Sequence, residues 1–263
     1  TDATRRLAAV PERNMTVQAK RRDPPPVSAL HEDGFPSLKA IPFEQGGTRV
    51  VQLLSKRHQM QLAGVSTRLR LPARMVVYHE ESIAQWVFII AQGVIKSYRD
   101  LPSGKRRVMA FLFQDDIFGL AESGHYVNTT QAVTPVTLYR IEIPTLTAML
   151  RRDSELEFQF LCKVTHELRS SFKQQIVVSR RDAAGRVAMF LRMLEQETGQ
   201  KGEESDIDIP MSRSDIANYL GLSLEAVSRA CRALEQKGIV DFIGRHSARI
   251  VNRPRFDKLT AAL

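Results

Sequence analysis

The sequence is poor in cysteine: Cys162 and Cys231 are the only two among 263 residues. Two thiols cannot build a disulfide framework. Alone they cannot hold a four-thiolate iron–sulfur cluster or a structural zinc ion either. Long apolar runs are missing too. The longest, residues 86–91, is far short of the ~20 residues that a membrane-spanning helix needs. Arg5, Arg6 and Arg13 are followed by no apolar stretch, so no secretory signal is expected and a reduced, cytoplasmic setting is. Acidic residues are in deficit, 29 against 38 lysines and arginines, which leaves a net charge of +9. That excess suits a polyanion such as nucleic acid, an anionic membrane surface, or nothing beyond solubility. With 43% hydrophobic and 25% charged residues, collagen-like and wholly disordered chains are excluded.

Four segments follow one another. Residues 1–45 read as a poorly ordered arm, because Pro24-Pro25-Pro26 breaks any helix and charges of both signs alternate with small residues. Residues 46–150 open with a short helix expected at about 48–62. There follow runs rich in β-branched and aromatic residues at 68–71, 75–78, 87–90, 94–98, 108–113 and 136–141. Gln92-Gly93, Pro102-Ser103-Gly104-Lys105 and Asp115-Asp116 supply turns between them. Strands at this spacing predict a β-sandwich or barrel. Residues 151–181 switch to a helical period: Ser154 with Glu157 reads as a capping box, and Leu161, Val164, Leu168, Phe172 and Ile176 make one apolar stripe. The stripe packs either on the chain's own β-domain or on a second copy of itself, as a dimer. Residues 182–263 hold a helix opened by Asp182, a polar linker at 199–205, two short helices at 212–220 and 223–237, and a hairpin around Gly244-Arg245-His246-Ser247. Helix, tight turn at Gly221, helix and hairpin make a winged helix-turn-helix.

The second of those helices carries the chemistry. Val227, Ala230, Cys231 and Leu234 share the face that turns toward a core. Glu225, Ser228, Arg229 and Arg232 lie on the other. Arginine can donate two hydrogen bonds to guanine, and glutamate can accept one from cytosine. Leu224 is placed to meet a thymine methyl. Base contacts are therefore assigned to Leu224, Glu225, Ser228 and Arg229. Phosphate contacts are assigned to Ser212, Arg213, Ser223, Arg232, Arg245 and His246, at helix N-termini and the hairpin tip. Taken alone, the same residues would also make a solvated helix with one Glu–Arg pair. Cys231, flanked by Arg229 and Arg232, is the candidate redox site, with an inert core thiol as the alternative.

Gly93, the Phe118-Gly119 turn, the long striped helix and the segment Leu222-Ser223-Leu224-Glu225-Ala226-Val227-Ser228-Arg229 together resemble the Crp/Fnr transcription regulators over about residues 60–252. Glu225, Ser228 and Arg229 fall on the family's Glu-x-x-Ser-Arg motif, which marks its Fnr and FixK branches. The resemblance implies an α+β chain: an N-terminal β-roll (a cyclic-nucleotide-binding-like jelly roll), a long dimerisation helix and a C-terminal winged helix-turn-helix. It also implies a homodimer on double-stranded palindromic DNA of the form TTG-N8-CAA, and contact with RNA polymerase, for which the basic turn Lys105-Arg106-Arg107 is a candidate patch.

Two departures narrow the branch. Where cyclic-nucleotide-binding members have a Gly-Glu turn and a downstream Arg with Ser or Thr, this chain has Gly119-Leu120 and Tyr126-Val127. No lysine or arginine occurs between Val108 and Tyr139, so cyclic AMP is not the expected ligand. Residues 1–161 contain no cysteine, which excludes the Fnr iron–sulfur cluster. His31, His58, His79, His125 and His166 are too scattered to argue for haem. The resemblance then implies the FixK type: a transcription activator with no cofactor of its own, working on low-oxygen or nitrogen-fixation-related genes. The rival within the family is a regulator gated by another small molecule. An enzyme on a cupin-like roll would need a metal set, and only His79-Glu80-Glu81 with His125 offers one.

Overall fold

The computed structural model describes residues 34–41, 50–121, 123–180, 182–198 and 206–261. Most of the expected arm, and the linker at 199–205, lie outside the described residues. The described part of that arm is not loose. Phe35, Leu38 and Ala40 are buried, and β1 (Lys39–Ala40) pairs antiparallel with β2 (Val51–Gln52). The first helix comes later than expected: α1 spans Lys56–Val65, capped by Ser55, whose hydroxyl accepts the His58 N–H.

Eight strands then build the roll: β3 (Thr67–Leu71), β4 (Val76–Tyr78), β5 (Trp86–Gln92), β6 (Ile95–Asp100), β7 (Arg106–Leu112), β8 (Ile117–Phe118), β9 (Thr129–Ala132) and β10 (Val136–Glu142). They form two four-stranded antiparallel sheets, ordered β3-β10-β5-β8 and β4-β9-β6-β7. The unbroken apolar run in β5 is explained by burial on both faces. Phe88 and Ile90 point into the roll with Leu138 and Ile95, whereas Val87 and Ile89 point outward against Leu62, Leu146, Leu156 and Phe160. Those outer partners belong to α1, to α2 (Ile143–Leu150) and to α3 (Ser154–Ser179).

The long helix α3 starts with a different cap from the one expected. Asp153, not Ser154, is the N-cap, and its carboxylate accepts the Leu156 N–H. At 26 residues α3 is about 39 Å long. Its inner face buries Leu156, Phe160 and Lys163. Lys163 is 1% exposed and is tied to Asp116 at 2.6 Å, Glu167 at 2.7 Å and the Lys39 carbonyl at 3.1 Å. Burial alone would favour the neutral amine; the two carboxylates outweigh it and push the Lys163 pKa up.

Beyond α3 come α4 (Ala183–Thr198), β11 (Asp206–Asp208), α5 (Arg213–Leu220), α6 (Leu224–Gln236), β12 (Val240–Ile243), β13 (Ser247–Ile250) and α7 (Arg253–Thr260). Asp182 accepts the Gly185 N–H at the start of α4, as expected of a cap. The winged hairpin β12–β13 gains a third strand, β11, giving the order β11-β13-β12. This C-terminal part is not a separate globule. Tyr98, Val108, Phe111 and Phe113, on or just after β6 and β7, join its core with Phe190, Tyr219, Val227 and Leu234. The second sheet thus buries its outer face against the winged helix, as the first buries its own against α1–α3.

Candidate nucleic-acid interface

Each helix of the helix-turn-helix is capped by a serine that the sequence singles out. The Ser212 hydroxyl accepts the Asp215 N–H and donates to Asp215 Oδ2. Ser223 accepts the Ala226 N–H. Between them Gly221 takes φ +63°, the left-handed conformation that ends α5 and turns the chain. Arg186 of α4 closes the same end, donating to the carbonyl of Leu220 at 2.9 Å.

Helix α6 divides cleanly. Val227, Ala230, Cys231 and Leu234 are buried, while Leu224, Glu225, Ser228, Arg229 and Arg232 are exposed. Leu224 is 47% exposed. Ser228 donates to the Leu224 carbonyl one turn back, which leaves its hydroxyl oxygen on the outer face. The Glu225 carboxyl is held below the usual carboxylate range by its own backbone N–H and the Ser223 hydroxyl, with Arg229 adding to the effect. The face is therefore one of charged and donor groups with its apolar side spent on the core.

The other assigned positions divide. Arg232 and Arg245 are exposed. His246 is exposed, and its Nδ1 lies 3.2 Å from the Ile209 carbonyl. Arg213 is turned inward instead: its guanidinium lies 2.9 Å from Cys231 Sγ and 4.9 Å from the Phe242 ring centroid. Cys231 is 6% exposed, and burial pushes its thiol pKa up against the pull of Arg213. The redox reading of Cys231 thus loses its premise of a low pKa.

Two further assignments are changed by packing. The basic turn does not form one patch. Arg106 is bidentate to Asp100, at 2.8 and 3.0 Å, with its guanidinium 3.8 Å from the Tyr98 ring centroid. Arg107 lies against the Gly221 turn, and Lys105 alone of the three is exposed. The cupin-like set does not converge: Glu80 pairs with Arg99, and His125 Nδ1 faces the Ser123 carbonyl.

The structure adds contacts that hold the interface in place. Lys96 of β6 reaches Asp215 of α5 at 2.6 Å, with side chains only 11% and 15% exposed. Phe111 of β7 packs against Tyr219 of α5 at 5.1 Å and Phe190 of α4 at 6.0 Å between ring centroids. Nothing in the sequence marks Lys96, Arg107, Phe111 and Arg186 for this role, because each acts on a distant part of the chain.

A cavity of about 410 Å³ lies between the roll and α3. Gly119, Leu120, Tyr126 and Val127 line it, as do Glu167 and Gln174. So does Arg107, a cation from just outside the segment that lacks one. Beside it on α3, Leu161, Val164, Leu168, Phe172 and Ile176 are each 43–54% exposed, an apolar stripe without cover in the single chain whose Val164 also borders the cavity.

The comparisons with known proteins agree with this architecture. Residues 68–153 match the cyclic nucleotide-binding domain, and residues 185–259 the Crp-like helix-turn-helix domain. The nitrogen fixation regulation protein FixK of Bradyrhizobium diazoefficiens is 30% identical over 203 residues, which is 74% of this chain and 82% of that one. The transcriptional activatory protein AadR of Rhodopseudomonas palustris is 26% identical over 199 residues, 75% and 83% of the two chains. The solved structure of FixK2 from Bradyrhizobium japonicum superimposes with a TM-score of 0.69 at 29% identity, over 76% of this chain and 99% of that one. The chain belongs to the Crp/Fnr family of transcription regulators, on its FixK-type branch.

Proposed function

We propose that this regulator is a homodimeric, cytoplasmic transcription activator that reads a TTG-N8-CAA palindrome with α6 and needs no cofactor of its own. Its targets are genes of low-oxygen respiration or nitrogen fixation, the second of which is the process named by its FixK relatives. The exposed row Leu224, Glu225, Ser228 and Arg229 on α6 carries the reading. The α3 stripe supplies a dimer seam. The two half-sites are centred about 11 base pairs apart, close to one helical turn, which suits two such helices in successive major grooves. RNA polymerase is the partner for the activating step, with Lys105 the part of the basic turn free to meet it.

The test is binding to a TTG-N8-CAA duplex against scrambled DNA. Arg229→Ala is expected to abolish discrimination at the guanine of TTG. Each good bidentate contact is worth about 1–3 kcal/mol. Arg245→Ala should weaken all sequences alike and lower the salt slope by about one. Equal affinity of the wild-type protein for both duplexes would refute the branch-specific reading.

One observation favours a second reading. The roll–α3 cavity is large enough for a small molecule, and Arg107 gives it a cation. Under that reading the protein is gated by an effector other than cyclic AMP, since Leu120 and Val127 stand where a nucleotide phosphate would need polar partners. Tight DNA binding by the ligand-free protein separates the two in favour of the first.

A further inference from the structure

His58 sits on the inner side of α1, fully buried against the start of α3. Its Nδ1 lies 2.9 Å from Gln159 Oε1, so the amide oxygen takes that N–H and the Nε2 lone pair faces the other way. There it meets Asp153 Oδ2 at 3.2 Å and Glu155 Oε2 at 3.9 Å. A lone pair and two carboxylates need a cation among them. The Arg57 guanidinium now serves: one nitrogen lies 2.9 Å from His58 Nε2, 3.0 Å from Asp153 Oδ2 and 3.5 Å from Glu155 Oε2. Its side chain is 61% exposed and can swing into solvent at small cost.

We propose that His58, Asp153 and Glu155 form a divalent-cation site, suited to Zn²⁺, from which Arg57 is displaced on binding. Zinc takes nitrogen and carboxylate ligands at about 2.0–2.2 Å, which sets ligand atoms about 3–4 Å apart around it; His58 Nε2 stands at such distances from both carboxylates, and all three ligand atoms lie within 4.8 Å of one another. Water completes the four positions. The donors are already oriented. Gln159 fixes the imidazole, as outer partners of metal-bound histidines do. The Leu156 N–H holds Asp153 Oδ1 at 3.1 Å and leaves Oδ2 facing His58 and Arg57. The partial positive charge at the α3 N-terminus opposes a cation there, and Asp153, Glu155 and Glu157 more than offset it. An ion at this place rivets α1 to the first turn of α3.

The experiment is equilibrium dialysis and calorimetry of the metal-stripped full chain with Zn²⁺, with Co²⁺ as the spectroscopic probe. One ion per chain is expected, with a Co²⁺ spectrum of nitrogen and oxygen ligands. Arg57→Ala should bind about fivefold more tightly, since a competing exposed ion pair is gone. Glu155→Gln, at an exposed position, should lose roughly tenfold. Gln159→Leu, which touches no ion, should lose about 10- to 100-fold by freeing the imidazole. Failure of both wild type and Arg57→Ala to take up a stoichiometric ion overturns the proposal. So does unchanged affinity in Glu155→Gln and Gln159→Leu, or a thiolate band in the Co²⁺ spectrum, which would put the ion on a cysteine.

Discussion

The Lys96–Asp215 pair gives the sharpest energetic prediction about how the DNA-binding part is held. The two atoms are 2.6 Å apart and the side chains are 11% and 15% exposed. Removing one partner of a fully buried pair costs about 3–5 kcal/mol, and exposed pairs are worth about 0–1 kcal/mol. This pair lies between those limits. Asp215→Asn leaves the ammonium of Lys96 enclosed, with the Tyr98 ring 5.9 Å away as its next partner. It should cost about 2 kcal/mol. Lys96→Met should cost less, about 1 kcal/mol, because the Asp215 carboxylate keeps the hydrogen bond from the Ser212 hydroxyl and its place in the first turn of α5. The double variant buries no unpaired charge and should fall near 1.5 kcal/mol, so the coupling is also about 1.5 kcal/mol. Urea unfolding of all four proteins at one protomer concentration measures it. Additive effects, within about 0.3 kcal/mol, would refute the reasoning and leave the seat to its apolar contacts and Arg107.

Three further outcomes follow from single sites. Gly221→Ala should cost about 1–2 kcal/mol from the φ of +63° alone, and Arg107→Ala should not rescue it. The added Cβ would meet only the movable end of Arg107, at 2.6 Å, so a full rescue would mean that contact and not the backbone dominates. Burial, with Lys163 nearby, lowers the His166 pKa to about 4. Unfolded histidine titrates near 6.5, so the unfolded state alone gains the proton as the pH falls from there to about 4, and stability drops across that window. The ring is partly exposed, so the loss is about 2 kcal/mol at most; a His166→Gln protein with the same pH profile by thermal melting would contradict it. Because the Cys231 thiol pKa is raised, peroxide at neutral pH should reduce DNA affinity equally in the wild type and in Cys231→Ala.

Helix α6 was legible because its signal is local. Buried and exposed residues separate at the helical period within 13 residues, and the serine caps and Gly221 mark its limits. What fixes α6 in space was not legible. Lys96 and Asp215 are 119 positions apart, and Arg186 lies 34 before the carbonyl it caps. No periodicity joins them. Arg213 shows the same limit from the other side. Its place at the head of α5 argues for a phosphate, and only the fold shows that Cys231 and Phe242 also lie against its guanidinium. Strand β8 is two residues long and β9 reads Thr129-Thr130-Gln131-Ala132, too short or too polar for a pattern to mark them. In α2 and α7 a proline stands in the first turn, where helices tolerate it, so a residue that usually ends helices sits at the start of two.

The shared core has a consequence for reading a palindrome. Two recognition helices must stand about one DNA turn apart. If α3 pairs with its copy, the distance between them depends on how each winged helix sits on its own roll. That seat is made by Phe111 with Tyr219 and Phe190, by Lys96 with Asp215, and by Arg107 against Gly221. A hinge of two independent domains would need a ligand to select the productive spacing. A winged helix that completes its core with β-roll residues is held by those contacts instead, and this supports the proposed effector-free reading. Arg107 belongs to both descriptions, since it lines the cavity and touches the turn of the helix-turn-helix. Its replacement by Met should leave ligand-free DNA affinity unchanged on either description, so it tests the gated one through the response to ligand. In a constitutive protein the apolar stem keeps the turn packed and DNA affinity is unchanged. In a gated one, the response to the cavity's ligand disappears while the ligand-free affinity stays.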